Sequence, residues 1–176
     1  MSTRTWSVDP SHSTVGFSVR HLMISKVRGR FSSFTASLTE SGGAFSGVTA
    51  DIDAASIDTR EEKRDAHLRS ADFFDAEKNP KLTFASTKVE SRGGDKYVVR
   101  GNLTMHGITK EVALDVELLG RAKDPWGNER VAFQGKASVD RTEFGLNWNQ
   151  ALEAGGILVG EKVDIEIEAQ FIAPKA

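Results

Sequence analysis

The sequence predicts an all-β protein, a single antiparallel barrel of about eight strands with one helix crossing between two of them. Three observations carry this reading. Apolar and polar residues alternate with period two through most of the 176-residue chain. Clusters of Gly, Asn, Asp and Pro, as in "ESGGAF", "SRGGDK", "MHGITK" and "KDPWGNE", separate the alternating runs by short links. One internal segment alone has a helix-forming composition. Successive strands on short links favour an up-and-down meander, and closing it removes the exposed edges.

The elements follow in order. In "HSTVGFSVRHLM", Val15, Phe17, Val19, His21 and Met23 share one face, opposite Gly16, Ser18, Arg20 and Leu22. "VRGRFSSFTASLTE" changes phase: Val27, Gly29 and Phe31 alternate, then Phe34, Ala36 and Leu38 continue one register off. A bulge at Ser32 and Ser33 would reconcile the halves and bend the strand. "GVTADIDA" alternates through Val48, Ala50 and Ile52. "DTREEKRDAHLRSADFFD" is polar and reads as a helix over 59–70, with Asp58 and Thr59 as cap and Glu61 and Glu62 in its first turn. "KLTFAST" offers Leu82 and Phe84, and "YVVRGNLTM" aligns Tyr97, Val99, Gly101, Leu103 and Met105.

His106 and Gly107 form the expected tip of a hairpin into "KEVALDVELLG", whose inward set is Val112, Leu114, Val116 and Leu118. "VAFQGKASVD" repeats the pattern through Val131, Phe133, Gly135, Ala137 and Val139. "NWNQALEAGGILVGEK" reads as a short helical or irregular excursion ending at Gly155 and Gly156. The last strand, "VDIEIEAQF", puts Val163, Ile165, Ile167, Ala169 and Phe171 opposite three acids and a glutamine.

Composition narrows the function. Residues 1–176 fit one domain with room for a substantial core. The 23 basic and 25 acidic residues balance to −2 without a basic stripe, so no nucleic-acid partner is expected. Cysteine is absent, which excludes thiolate chemistry and disulfides. "MSTRTWSVDPSHS" has neither the basic start nor the apolar stretch of a secretory leader, so a cytoplasmic location is expected. No run approaches the ~18 apolar residues of a membrane-spanning helix.

The four histidines assemble no motif. His12 falls in an entry turn, where Ser11 and Ser13 would point away from it, and His67 lies on the charged face of the helix. His21 faces inward, as a bonded core histidine or as a polar marker for a ligand. No nucleophile elbow, P-loop, dinucleotide fingerprint or compact zinc signature occurs. A binding role rather than catalysis is expected, without metal or cofactor. An enzyme using His21 or His106 on a small hydrophobic substrate is the first alternative. A stress-related barrel with a filled core, forming a homodimer through an exposed sheet face, is the second.

Four stretches carry a resemblance: "WSVDPSHSTVGFSVRHLMISKVRGRF", "DIDAASIDTREEKRDAHLRSADFFDAEKNPKLTFAST", "GNLTMHGITKEVALDV" and "RTEFGLNWNQALEAGGILVGEKVDIEIEAQF". In this order over one domain, the chain resembles the YceI-like polyisoprenoid-binding proteins of bacteria. The resemblance implies an extended, lipocalin-like eight-stranded barrel with an apolar pore. It also implies a lipid ligand, a polyprenyl chain or an isoprenoid quinone, and no catalytic residues. The expected walls are Val15, Phe17, Val19, His21 and Met23; Phe34 and Leu38; Val112, Leu114 and Val116; Phe133; and Ile165, Ile167 and Phe171. Trp148, with Gly155 and Gly156, is expected over an opening.

Overall fold

The computed structural model describes residues 2–150 and 158–175. Its strands are β1 (Thr3–Val8), β2 (Thr14–His21), β3 (Ser25–Phe31), β4 (Phe34–Ser41), β5 (Ala44–Asp53) and β6 (Ile57–Asp58). After the helix α1 (Glu62–Arg69) come β7 (Lys81–Ser91), β8 (Lys96–Met105), β9 (Ile108–Lys123), β10 (Glu129–Asp140) and β11 (Val159–Ile172). Every pairing is antiparallel. β1 with β2, β3 with β4, and β5 with β6 each form one broken stave, so the ladder closes as an eight-stranded barrel. Closure runs through the first and last staves: Val8 pairs with Phe171 and Phe17 with Ile165.

Both broken staves next to that seam break for local reasons. Pro10 cannot donate to a ladder, and Asp9 accepts from the Ser11 N–H at 3.0 Å, so residues 10–12 form a 3₁₀ turn between β1 and β2. Opposite it, the expected bulge at Ser32 and Ser33 is a full break in the strand. The Ser32 N–H bonds the Ser56 carbonyl, and the Ser33 carbonyl accepts from the Asp53 N–H. These groups leave the sheet ladder to bind the β5–β6 corner, and the phase of the apolar residues changes with them.

The helix is shorter than the expected 59–70. Arg60 has φ 63°, which a right-handed helix cannot contain, so the turn starts only after it. The Glu61 carboxylate then caps the helix by accepting from the Arg64 N–H at 2.6 Å. Thr59 serves instead as the anchor of buried Asp65, to which its N–H and hydroxyl both donate.

The hairpin turn between β8 and β9 forms at His106 and Gly107, both with positive φ, the geometry that matches strand twist. The β2–β3 turn reaches the same left-handed conformation with Leu22 and Met23, two residues without the usual turn chemistry.

Two apolar clusters fill the barrel at different levels. One joins Trp6, Leu38, Val131 and Phe171 at the end where β1 begins and β11 finishes. The larger one, with Phe31, Leu82, Phe84, Leu103, Phe144 and Leu146 among its members, reaches the end where α1 lies.

Candidate functional site: a cavity along the barrel

Between the two clusters runs a cavity of about 430 Å³ whose wall is almost wholly apolar. Alternation builds it, since every stave sends every second side chain inward. Val15, Phe17, Val19 and His21 border it from β2, Phe34 and Leu38 from β4, and Leu114 and Val116 from β9. Phe133, Ile165, Ile167, Phe171 and Trp148 border it as well. Of the expected wall residues, two stand elsewhere. Met23 falls in the β2–β3 turn after the strand has ended at His21, and is 57% exposed. Val112 packs against the large cluster without reaching the cavity. Gly155 and Gly156 lie outside the described residues.

Glycine keeps the lumen open. Phe17 pairs with Gly29, and a Cβ on Gly29 would meet the Phe17 ring at 2.5 Å. A Cβ on Gly101 would lie 2.5 Å from the Phe84 ring and 2.6 Å from the Ala85 carbonyl oxygen. Each ring therefore lies back over a glycine in the neighbouring strand instead of standing out into the lumen.

The end where β1 begins is plugged. Trp6 is fully buried, with Phe45 edge-on to it and Phe133 edge-on to Phe45. Over this aromatic plug sit four inward charges. Glu40, 5% exposed, accepts from Arg4 at 2.8 and 3.0 Å and from Arg121 at 3.4 Å, while Arg4 also donates to Glu129 at 3.1 Å. Burial pushes the Glu40 carboxyl up, but Arg4 and Arg121 outweigh it and hold the group below its ordinary value. The Arg4 and Arg121 guanidiniums lie 5.0 and 5.9 Å from the Trp6 ring centre.

The α1 end is built differently. The His67 ring stands edge-on to Trp148 at 4.7 Å and to Phe73 at 5.1 Å, with Nε2 2.8 Å from Asp72. His67 borders the cavity, which corrects its expected place on a solvated face; a short polar helix with no apolar stripe gives no clue to which side it turns inward. Arg64, one turn earlier, also borders the cavity and donates to the Thr59 hydroxyl and carbonyl. Arg141 is 4% exposed and donates to four backbone carbonyls: Gly160, Leu146, Trp148 and Val159. Burial lowers its pKa, against a weaker opposing pull from Glu161 and Asp140.

Arg141 is not among the expected site residues, because a basic residue directly after a strand reads as a loop charge. The signal was present, since Arg141 continues the inward parity of Val131 to Val139.

The remaining histidines support no catalytic constellation. His12, Ser11 and Asp9 do come together, contrary to the expected divergence, because the 3₁₀ turn replaces an extended segment. However, Ser11 Oγ (3.1 Å) and Asp9 Oδ2 (2.7 Å) approach the same nitrogen, His12 Nδ1, and the Ser11 hydroxyl itself donates to Asp9. A relay needs the two ring nitrogens to face different partners. His106 is turned to the Phe144 carbonyl at 3.0 Å and does not border the cavity. Among the described residues no three His, Asp or Glu side chains gather as a metal site. No described helix is long and apolar enough to cross a membrane.

Fold and cavity together define a class: an up-and-down barrel that closes around an apolar lumen, as small-ligand binders do. The family model for the YceI-like domain matches residues 6–171, and the chain belongs to the YceI-like family. Curated relatives agree. A UPF0312 protein of Staphylococcus epidermidis is 38% identical over 169 residues, covering 94% of this chain and 96% of the relative. One from Staphylococcus aureus is 39% identical over 170 residues with the same coverage. Among solved structures, Burkholderia cenocepacia BcnA is similar in fold, with TM-score 0.81 and 24% identity over 93% of this chain and 98% of that one. A Campylobacter jejuni YceI protein gives TM-score 0.74 and 28% identity over 89% of this chain and 90% of its own. A polyisoprenoid-binding domain from Saccharophagus degradans gives 0.70 and 16% over 96% of this chain and 98% of its own.

Proposed function

We propose that the protein is a non-enzymatic binder and carrier of an amphiphilic, isoprenoid-like lipid, either a polyprenyl chain or an isoprenoid quinone. The observation that carries this reading is the apolar cavity along the barrel axis, plugged at one end and edged with polar side chains at the other. Each Å² of apolar tail withdrawn from water contributes ~25 cal/mol, so a tube lined by Phe, Val, Ile and Leu needs few polar contacts to hold a long chain. The polar α1 end suits a head group, and the plug sets how far a tail can enter. Membership in the YceI-like family supports the reading, and the Saccharophagus degradans neighbour is described as polyisoprenoid-binding. The histidine geometries favour binding over turnover.

Native mass spectrometry and solvent extraction of protein purified from its own host test it. A long-chain lipid released in near-stoichiometric amount is the expected result. Protein that is empty in the host, and that takes up neither quinones nor polyprenols after delipidation, would sink the reading.

A further inference from the structure

The two polar ends of the cavity are not equivalent in charge. At the plugged end two arginines face two glutamates, and the inward charges cancel. At the α1 end the inward ionisable side chains bordering the cavity are His21, Arg64, His67 and Arg141, with no acid among them, and Arg20 borders it only from the outward parity of β2. The one acid that borders the cavity, Glu168, lies on the outward parity of β11 beside Thr14. Arg141 is the most buried of the set, and among the described residues no carboxylate lies within ion-pair distance of it.

A guanidinium has five N–H donors. Backbone carbonyls take four of those of Arg141: one from Nε, two from Nη1 and one from Nη2. Among the described residues one Nη2 hydrogen has no acceptor, on a buried cation that borders the cavity. A cation held out of water by carbonyl dipoles alone gains most from an anion placed beside it. The burial-lowered pKa of Arg141 agrees with a charge that is short of a counter-ion.

We propose that the α1 end of the cavity is an oxyanion site, in which Arg141 with Arg64 receives the carboxylate or phosphate head of an amphiphile whose tail lies in the barrel. This rests on the reading of the cavity as a lipid site and narrows it to anionic ligands. Trp148, Phe73 and His67 would surround the first carbons of the tail, and the plug would receive its far end.

Calorimetric titration of delipidated protein with matched pairs tests this: farnesyl phosphate against farnesol, and palmitate against hexadecanol. At least one anion should bind about tenfold or more tightly than its alcohol, the size expected for a charge-assisted hydrogen bond out of water. Arg141→Gln should bring the ratio close to one, and Arg141→Lys should leave an intermediate ratio. Equal affinities within both pairs in the unmodified protein overturn the proposal, and this comparison stands even if Arg141→Gln does not fold. A preference that survives in folded Arg141→Gln overturns it too. Inorganic phosphate binding as tightly as farnesyl phosphate would make the site one for free anions and overturn the amphiphile. If no member of either pair binds, the cavity is not a lipid site and the proposed function falls with the inference.

Discussion

The two ends of the barrel hold the same kinds of side chain, arginines over aromatic rings, yet they solve different problems. At the plugged end Arg4 and Arg121 lie over Trp6 and Phe45 and are matched by Glu40 and Glu129. At the α1 end Arg141 lies 5.9 Å from the Phe73 ring and is matched by carbonyl dipoles. The first set is complete in itself and belongs to stability. The second has no carboxylate within ion-pair distance of Arg141 among the described residues, and under the proposed oxyanion site it serves recognition. The difference teaches that a barrel can be sealed with polar residues when they are paired, and opened to a ligand with the same residues when they are not.

The largest expected effect breaks the plug. Trp6→Ala removes the most buried ring in the smaller cluster and should cost ~3–5 kcal/mol in a denaturant titration. Trp6→Phe sharpens the point. Trp6 Nε1 is buried with no hydrogen-bond partner among the described residues, so removing it with the smaller ring should cost less than ~1.5 kcal/mol. Gly101→Ala comes next, at ~1–3 kcal/mol, because the Cβ meets the Ala85 carbonyl and Ser86 Cα, which cannot rotate away. Gly29→Ala meets the Phe17 ring and the Thr59 methyl instead, so the ring should swing into the lumen. That variant should lose ligand capacity more than stability, and the two glycines together separate wall strength from lumen space.

Glu40→Gln tests the paired charges and should cost about 1–2 kcal/mol at neutral pH, since Arg4 and Arg121 lose one of the two carboxylate charges they share, leaving Glu129 alone. The pH dependence has a definite sign. Glu40 is held below its ordinary value of 4.5, so its contribution is full above that pH and is lost as pH falls through the folded value. Asp124 adds to the same limb at lower pH: burial opposes its ionisation, but Arg130 and the Asn128 and Trp126 N–H groups hold it down at about 2. Stability followed by circular dichroism should fall on acidification from about pH 4.5 in the unmodified protein, and Glu40→Gln should flatten the upper part of that fall.

These charges also mark the boundary of what was legible in the sequence. Period-two alternation assigned the inward faces of β2, β9, β10 and β11 directly, because one-residue slips would expose the whole apolar set. The same parity places Arg4 with Trp6, Glu40 with Leu38 and Glu129 with Val131. What made those charges acceptable inside could not be read, since their partners lie 36, 81 and 125 residues apart. Likewise α1 carries no apolar stripe to show that Arg64 and His67 turn inward. Pattern reports the side of a strand, whereas pairing across the barrel is a tertiary fact.

The smallest expected effect concerns the β2–β3 turn. Alternation carried past its end puts Met23 on the cavity wall with His21. The strand instead stops at His21, where the left-handed φ of Leu22 and Met23 reverses the chain, and Met23 and Ile24 are left 57% and 81% exposed. A wall methionine would contribute on the order of 2 kcal/mol by burial, whereas an exposed one should contribute within about ±0.5 kcal/mol. Met23→Ser should therefore unfold at the same denaturant concentration as the parent and bind the same ligands with the same affinity. Val19→Ser, two positions inside the strand end, should shift both. A Met23→Ser loss as large as that of Val19→Ser would restore Met23 to the wall and move the mouth of the cavity outward by one turn.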